Sequence, residues 1–307
     1  MSNLNPEEIA IEAASSGRSG RRPPPRAAYA LPTLFTAGNI FLGYLSIVHT
    51  IQGALSFAGQ PAIAQQDFEI AAKTIGLAVV LDGLDGRIAR MTNTTSEFGR
   101  ELDSLADVIS FGIAPAILGY VWGVMFATAA EGSFILDHLQ RVGKLLSFLF
   151  LACGAARLAR FNIQKNPMPS NPGAPHRRYF VGLPIPAGAG MVAAVIFAMG
   201  SMPITDPGWS VVWVALLGLL SFLMISAWRY WSFKDLNLLR PRSPLILVLM
   251  CLVIYAIWNW AHVMLLVLAS IYVSSGIVIR VGGIIRRGGK PKPPMPHPHD
   301  HPEAQIG

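Results

Sequence analysis

Charge is what this sequence has least of. Only 13% of its 307 residues are Asp, Glu, Lys or Arg, while 52% are hydrophobic. That balance excludes a soluble domain of comparable size and marks a polytopic membrane protein. Cysteine is scarce as well. Cys153 and Cys251 each lie in an apolar run and read as small buried hydrophobes, so no disulfide framework is implied. Nucleic acid is not implied either. The net charge is +7, but the basic residues flank apolar segments, where orientation and anionic-lipid contact account for them. Residues 1–29 are polar, rich in Arg and Pro, and lack the uninterrupted apolar stretch of a cleaved signal. They are expected to form a disordered cytoplasmic arm.

What the sequence has instead is apolar runs of membrane-crossing length. They predict an all-α polytopic membrane protein with about eight transmembrane helices, near 31–52, 69–91, 96–127, 141–163, 180–200, 209–231, 243–262 and 263–283. Residues 53–68 read as a loop and Pro115 as a kink. The membrane domain is expected over 30–283, followed by a disordered Gly/Lys/Pro/His tail at 284–307. All Lys and Arg except Lys73, Arg141 and Lys144 fall in segments that eight spans place on one side. The positive-inside rule makes that side the cytoplasm and puts both termini there. The expected location is the cytoplasmic (inner) membrane of a bacterium or archaeon.

One stretch, residues 82–107, breaks the apolar pattern: DGLDGRIARMTNTTSEFGRELDSLAD. At about 100° per residue, Asp82, Asp85, Gly86, Ala89 and Arg90 fall within a sector of roughly 140° of one helix. The small members of that stripe leave room for a large group to approach the backbone. Gly99, Asp103 and Asp107 recur at four-residue intervals and share a second face. Between them, Thr94 and Glu97 have the spacing of a capping box. The stretch therefore reads as helix, turn, helix, with two acidic faces opposed. Four crowded carboxylates need a counter-charge, and a divalent metal supplies it. A solvated surface face would carry the same letters, but acids inside membrane segments are costly and mark function.

The pattern Asp82-x2-Asp85-Gly86-x2-Ala89-Arg90-x8-Gly99-x3-Asp103-x3-Asp107 resembles the signature of the CDP-alcohol phosphatidyltransferase family at every defined position. The resemblance implies two divalent ions, Mg2+ or Mn2+, held by Asp82, Asp85 and Asp103, with Asp107 contributing to the second ion and acting as general base. It implies that Gly86, Ala89, Arg90 and Gly99 border the nucleotide and pyrophosphate of CDP-diacylglycerol. In the first span Thr33, Thr36, Asn39 and Gly43 form a small polar stripe. Helix packing explains such a stripe. The resemblance instead sets Thr36 and Asn39 beside the nucleotide.

The acidic stretch leaves the acceptor alcohol open. The segments RLARFN (157–162), FVGLPIP (180–186) and YWSFK (230–234) resemble patterns of the integral-membrane phosphatidylserine synthases, which implies L-serine as acceptor. On that reading Arg157 or Arg160 meets the serine carboxylate and Asn162 orients it. The plainer account of RLARFN is a basic anchor at a helix end. Glycerol 3-phosphate or an inositol phosphate is the alternative acceptor. An ion-coupled transporter is the remote alternative, disfavoured because its site belongs at the bilayer midplane. The expected partners are the nucleotide lipid, serine and the bilayer, with no nucleic acid; a homodimer is compatible.

Overall fold

The computed structural model describes residues 26–92, 97–128, 134–164, 179–231, 251–252, 255–257 and 259–288. Helix α1 is Arg26–Ser56 and α2 is Pro61–Thr92. Then α3 (Glu97–Asp107), a π-helical stretch Val108–Ile113, α4 (Ala114–Tyr120) and a second π stretch Val121–Met125 follow without interruption. The junction residues Asp107, Ile113, Ala114 and Val121 all keep right-handed helical dihedrals, so these pieces form one rod. Helix α5 is Phe134–Gln164, α6 is Ile185–Ala198, α7 is Pro207–Ile225 and α8 is Ala261–Gly288.

Five segments are long and apolar enough to cross a membrane: Thr33–Ser56, Phe98–Met125, Leu136–Ile163, Pro207–Ile225 and Ala261–Arg280. This is an integral membrane protein. Helix α2 has the length but carries Asp67, Glu69 and Lys73 near one end and Asp82, Asp85 and Arg87 near the other. Helix α6 has 14 residues, or about 21 Å of rise, short of a bilayer core of roughly 30 Å. The expected span over 243–262 falls largely outside the described residues, as do residues 1–25 and 289–307.

Burial of apolar surface does not drive helices together in lipid, so close packing and buried hydrogen bonds must do it. Helices α1 and α2 pair antiparallel in that way. His49 Nδ1 lies 2.9 Å from Asp67 Oδ1, Ser46 Oγ donates to the Ala71 carbonyl at 3.0 Å, and Thr36 Oγ1 donates to Asp85 Oδ2 at 3.0 Å. The α3–α4 rod and α5 pair likewise. Asn162 Nδ2 donates to Ser104 Oγ at 2.8 Å, and Ser147 Oγ donates to the Ala116 carbonyl at 2.6 Å. Where α1 crosses the rod, Gly43 leaves no space: a Cβ there would sit 2.8 Å from Ser110 Cα. Further along the rod, Trp122 and Trp213 meet edge to face at 5.0 Å, and Trp213 Nε1 donates to the Gly119 carbonyl at 2.7 Å.

Several expectations change. The loop expected over 53–68 shrinks to four residues, because α1 runs on to Ser56 and α2 starts at Pro61, where a missing N–H costs nothing. The span expected to open at 180 starts instead at Ile185, and the one expected to close at 231 ends at Ile225. Before the first of these helices and after the second, the chain forms an antiparallel strand pair, β1 (Tyr179–Val181) with β2 (Arg229–Trp231). The all-α expectation thus gains one short ribbon. Pro184 has an extended ψ of 138° and caps α6, and Gly182 turns the chain with a φ of 80°. Both are incompatible with extending the helix backwards. Pro115 lies in the first turn of α4, directly after the π stretch, and the flanking Ile113 and Ala114 keep right-handed helical dihedrals. Cys153 is buried as expected, whereas Cys251 is exposed.

Candidate active site

The two acidic helix ends converge. Asp82 comes from the last third of α2, and Asp103 and Asp107 come from α3. Each of the three presents a carboxylate oxygen, and these oxygens lie within 4.8 Å of one another. Residues 93–96, which join the helices, and with them the expected Thr94–Glu97 capping box, lie outside the described residues. Asp107 is buried at 9% exposure, so its charge has little water to solvate it. All-oxygen donors at this spacing match what hard divalent cations such as Mg2+ or Mn2+ prefer. The residues present therefore fit a metal.

Asp85 stands one turn further along α2. It is 7% exposed and accepts the hydrogen bond from Thr36, itself 3% exposed. Asp82 lies within electrostatic range of both Asp103 and Asp85, so the fourth carboxylate belongs to the same cluster. The three-way oxygen grouping itself comprises Asp82, Asp103 and Asp107.

The polar stripe of α1 faces this cluster. Besides the Thr36 bond, Asn39 is buried and its carbonyl accepts from Ser110 Oγ at 2.8 Å, three residues beyond Asp107. Asn39 Oδ1 is buried and meets no hydrogen-bond partner among the described residues. Such an acceptor is costly unless a donor reaches it. The stripe thus packs α1 against α2 and the rod.

Gly86 is exposed on α2 and Gly99 is partly exposed on α3, each near the cluster in sequence. Ala89 and Arg90 belong to α2, but their side chains lie outside the described set. Arg160 is exposed near the end of α5. Arg157, one turn earlier, is partly buried, and its Nε has no hydrogen-bond partner among the described residues. It lies within electrostatic range of Asp107. Asn162 Nδ2 donates to Ser104 Oγ, the neighbour of Asp103. Sequence reading missed Ser104 and Ser110, because nothing in the local pattern pairs a serine with a residue 58 or 71 positions away.

Residues 29–217 match the family model for CDP-alcohol phosphatidyltransferase, and the chain belongs to that family. Among its relatives, a CDP-diacylglycerol–serine O-phosphatidyltransferase of Helicobacter pylori is 34% identical over 252 residues, covering 77% of this chain and 93% of the relative. An enzyme of the same name from Methanocaldococcus jannaschii is 32% identical over 240 residues, covering 78% and 94%. The one from Bacillus subtilis is 32% identical over 208 residues, covering 66% and 91%.

Proposed function

We propose that the chain transfers the phosphatidyl group of CDP-diacylglycerol to the hydroxyl of L-serine, giving phosphatidylserine and CMP. The observation that carries this reading is the convergence of Asp82, Asp103 and Asp107 within 4.8 Å at one end of a membrane bundle. Divalent ions bound there, two of Mg2+ or Mn2+, supply positive charge for the phosphoryl oxygens during transfer. Asp82, Asp85 and Asp103 hold them, and Asp107 shares in the second. Thr36 keeps the Asp85 carboxylate turned inward. Gly86, Ala89 and Gly99 let the nucleotide lie close to the two helices, Asn39 offers it a buried acceptor, and Arg90 donates to its phosphates.

Asp107 has two carboxylate oxygens, so one can serve the cation while the other takes the serine hydroxyl proton. The serine oxygen then bonds to the phosphatidyl phosphorus, the anhydride P–O bond breaks, and CMP leaves with the bridging oxygen. Arg157 or Arg160 receives the serine carboxylate, a cation that an acceptor without an anionic group, such as ethanolamine, does not require. Eight spans with both termini and the acidic cluster at the cytoplasmic face put the pyrophosphate where lipid head groups meet water, so the fatty tails stay in the bilayer.

The test is to incubate the purified protein with CDP-diacylglycerol, Mg2+ or Mn2+, and each acceptor alcohol, and to follow CMP release. Serine is expected to give the fastest release, and ethanolamine, which lacks the carboxylate, a slow one. Faster release with glycerol 3-phosphate or an inositol phosphate overturns the serine assignment while leaving the family untouched.

A further inference from the structure

The oxygens of Asp103 and Asp107 on α3 meet that of Asp82 on α2. Carboxylates of like sign push one another apart until a cation joins them, so the helices that carry them must be held. Ser104, the residue after Asp103, lies about 100° further round α3 and is held from another side. Asn162 Nδ2, near the end of α5, donates to Ser104 Oγ at 2.8 Å. The same oxygen donates to the Arg100 carbonyl at 3.0 Å, one turn back on α3. A serine hydroxyl has a single proton to give. With that proton committed to Arg100, the oxygen can only accept, and the Asn162 amide N–H is the matching partner.

The bond belongs to a longer contact. Along the rod, Ser104, Gly112 and Ala116 meet Asn162, Leu151 and Ser147, in reverse order along α5. A Cβ on Gly112 would come 2.8 Å from Leu151 Cδ1, and Ser147 Oγ donates to the Ala116 carbonyl at 2.6 Å. Helix α5 thus runs antiparallel to the rod and reaches its acidic end with Asn162. On the α1 side, Ser110 ties the rod to the Asn39 carbonyl at 2.8 Å. Asp103 lies seven residues before Ser110, about two turns further out, so its bearing depends on what holds the outer part of α3. A helix held on one side can roll about its axis, and a bond on a second side stops the roll. Site residues work only within roughly 10–20° of their productive geometry.

We propose that Ser104 and Asn162 are positioning residues: their hydrogen bond locks the roll of α3 and keeps Asp103 aimed at the divalent cation. The proposal rests on the metal reading above and gives Asn162 a part other than the acceptor contact that its motif suggests. Ser104 is half-buried and alanine is the better helix former, so Ser104→Ala retains the fold. Full-length protein in detergent is titrated with Mg2+ while its unfolding temperature is followed, and CMP release at saturating Mg2+ gives the KM for serine. S104A and Asn162→Ala are each expected to raise the Mg2+ concentration for half the thermal shift about fivefold, the scale of one hydrogen bond. The serine KM is expected to stay unchanged in both. The double variant should match the singles, because either substitution alone breaks the bond. Ser104→Thr keeps the hydroxyl and should keep the midpoint of the unmodified protein. A lower unfolding temperature in S104A and N162A with the Mg2+ midpoint unmoved makes the bond merely structural and overturns the proposal. A raised serine KM in N162A alone makes Asn162 an acceptor contact and overturns it as well. So does full additivity in the double variant. If Mg2+ leaves the unfolding temperature of the unmodified protein unmoved, the metal reading and this inference fall together; if it raises that temperature and S104A titrates identically, the inference alone falls.

Discussion

Thr36 Oγ1 donates to Asp85 Oδ2 at 3.0 Å, joining two buried residues 49 positions apart. The bond fixes the height of α1 against α2 and orients a carboxylate that burial has cut off from water. A hydrogen bond to a charged group is worth about 1.5–3 kcal/mol. Thr36→Val keeps the shape and removes the donor. It should raise the concentration of divalent ion needed for half-maximal CMP release and cut the rate about tenfold or more, whereas Thr36→Ser should retain most activity. A titration of Mg2+ or Mn2+ against CMP release measures both.

Asp82 and Asp103 bring opposed charges of like sign into one cluster, which makes bound cation a stabilising ligand of the folded protein. Thermal unfolding of the unmodified protein should shift upward as Mg2+ or Mn2+ is added. In Asp82→Asn or Asp103→Asn that shift should shrink sharply and turnover should vanish, with membrane insertion intact. Near-normal CMP release from D82N after EDTA treatment is the result that would sink the metal site.

Asp107 has a different part. Asp107→Asn should lower the rate by about 10²-fold or more, the scale of lost general-base catalysis, with affinity for CDP-diacylglycerol largely kept. Single-turnover CMP release alongside equilibrium binding separates the two. Binding that falls in proportion to rate would make Asp107 mainly a ligand.

Two glycines test the packing. A Cβ on Gly43 would meet Ser110 Cα at 2.8 Å, whereas one on Gly76 would meet nothing within 4 Å. Gly43→Ala should destabilise by about 1–3 kcal/mol, as overpacking does, and depress activity by pushing α1 off the rod. Gly76→Ala should be neutral or stabilising by up to about 1 kcal/mol, since alanine is the better helix former. The midpoint of unfolding in detergent distinguishes them.

Much of the site was legible because its residues follow helical spacing. Asp103 and Asp107 share a face by periodicity alone, and the fold brings Asp82 to them. The Thr36–Asn39 stripe was visible for the same reason, and its hydrogen bonds reach Asp85 and Ser110. What the sequence concealed depends on long-range partners. Asn162 donates to Ser104, 58 residues away, and no local pattern announces that pair. The ribbon at 179–181 and 229–231 was hidden because three-residue strands with aromatic and β-branched residues read as helix ends in an apolar context. Tyr272 lies in a run with no motif, and its ring contact with Tyr230, 42 positions earlier, is written in no local pattern.

The π stretches on either side of α4 set the phase of the whole rod. Each lets the chain hold a residue more per turn than an α-helix would, so the bearing of one end is offset from that of the other. Asp103 and Asp107 are aimed at α2, while Trp122, 15 positions past Asp107, is aimed at Trp213. Removing a single residue between them would swing one end against the other by roughly 100°. The rod behaves as a keyed shaft: side chains along it can be exchanged, but the number of teeth between the acidic end and the tryptophan end cannot.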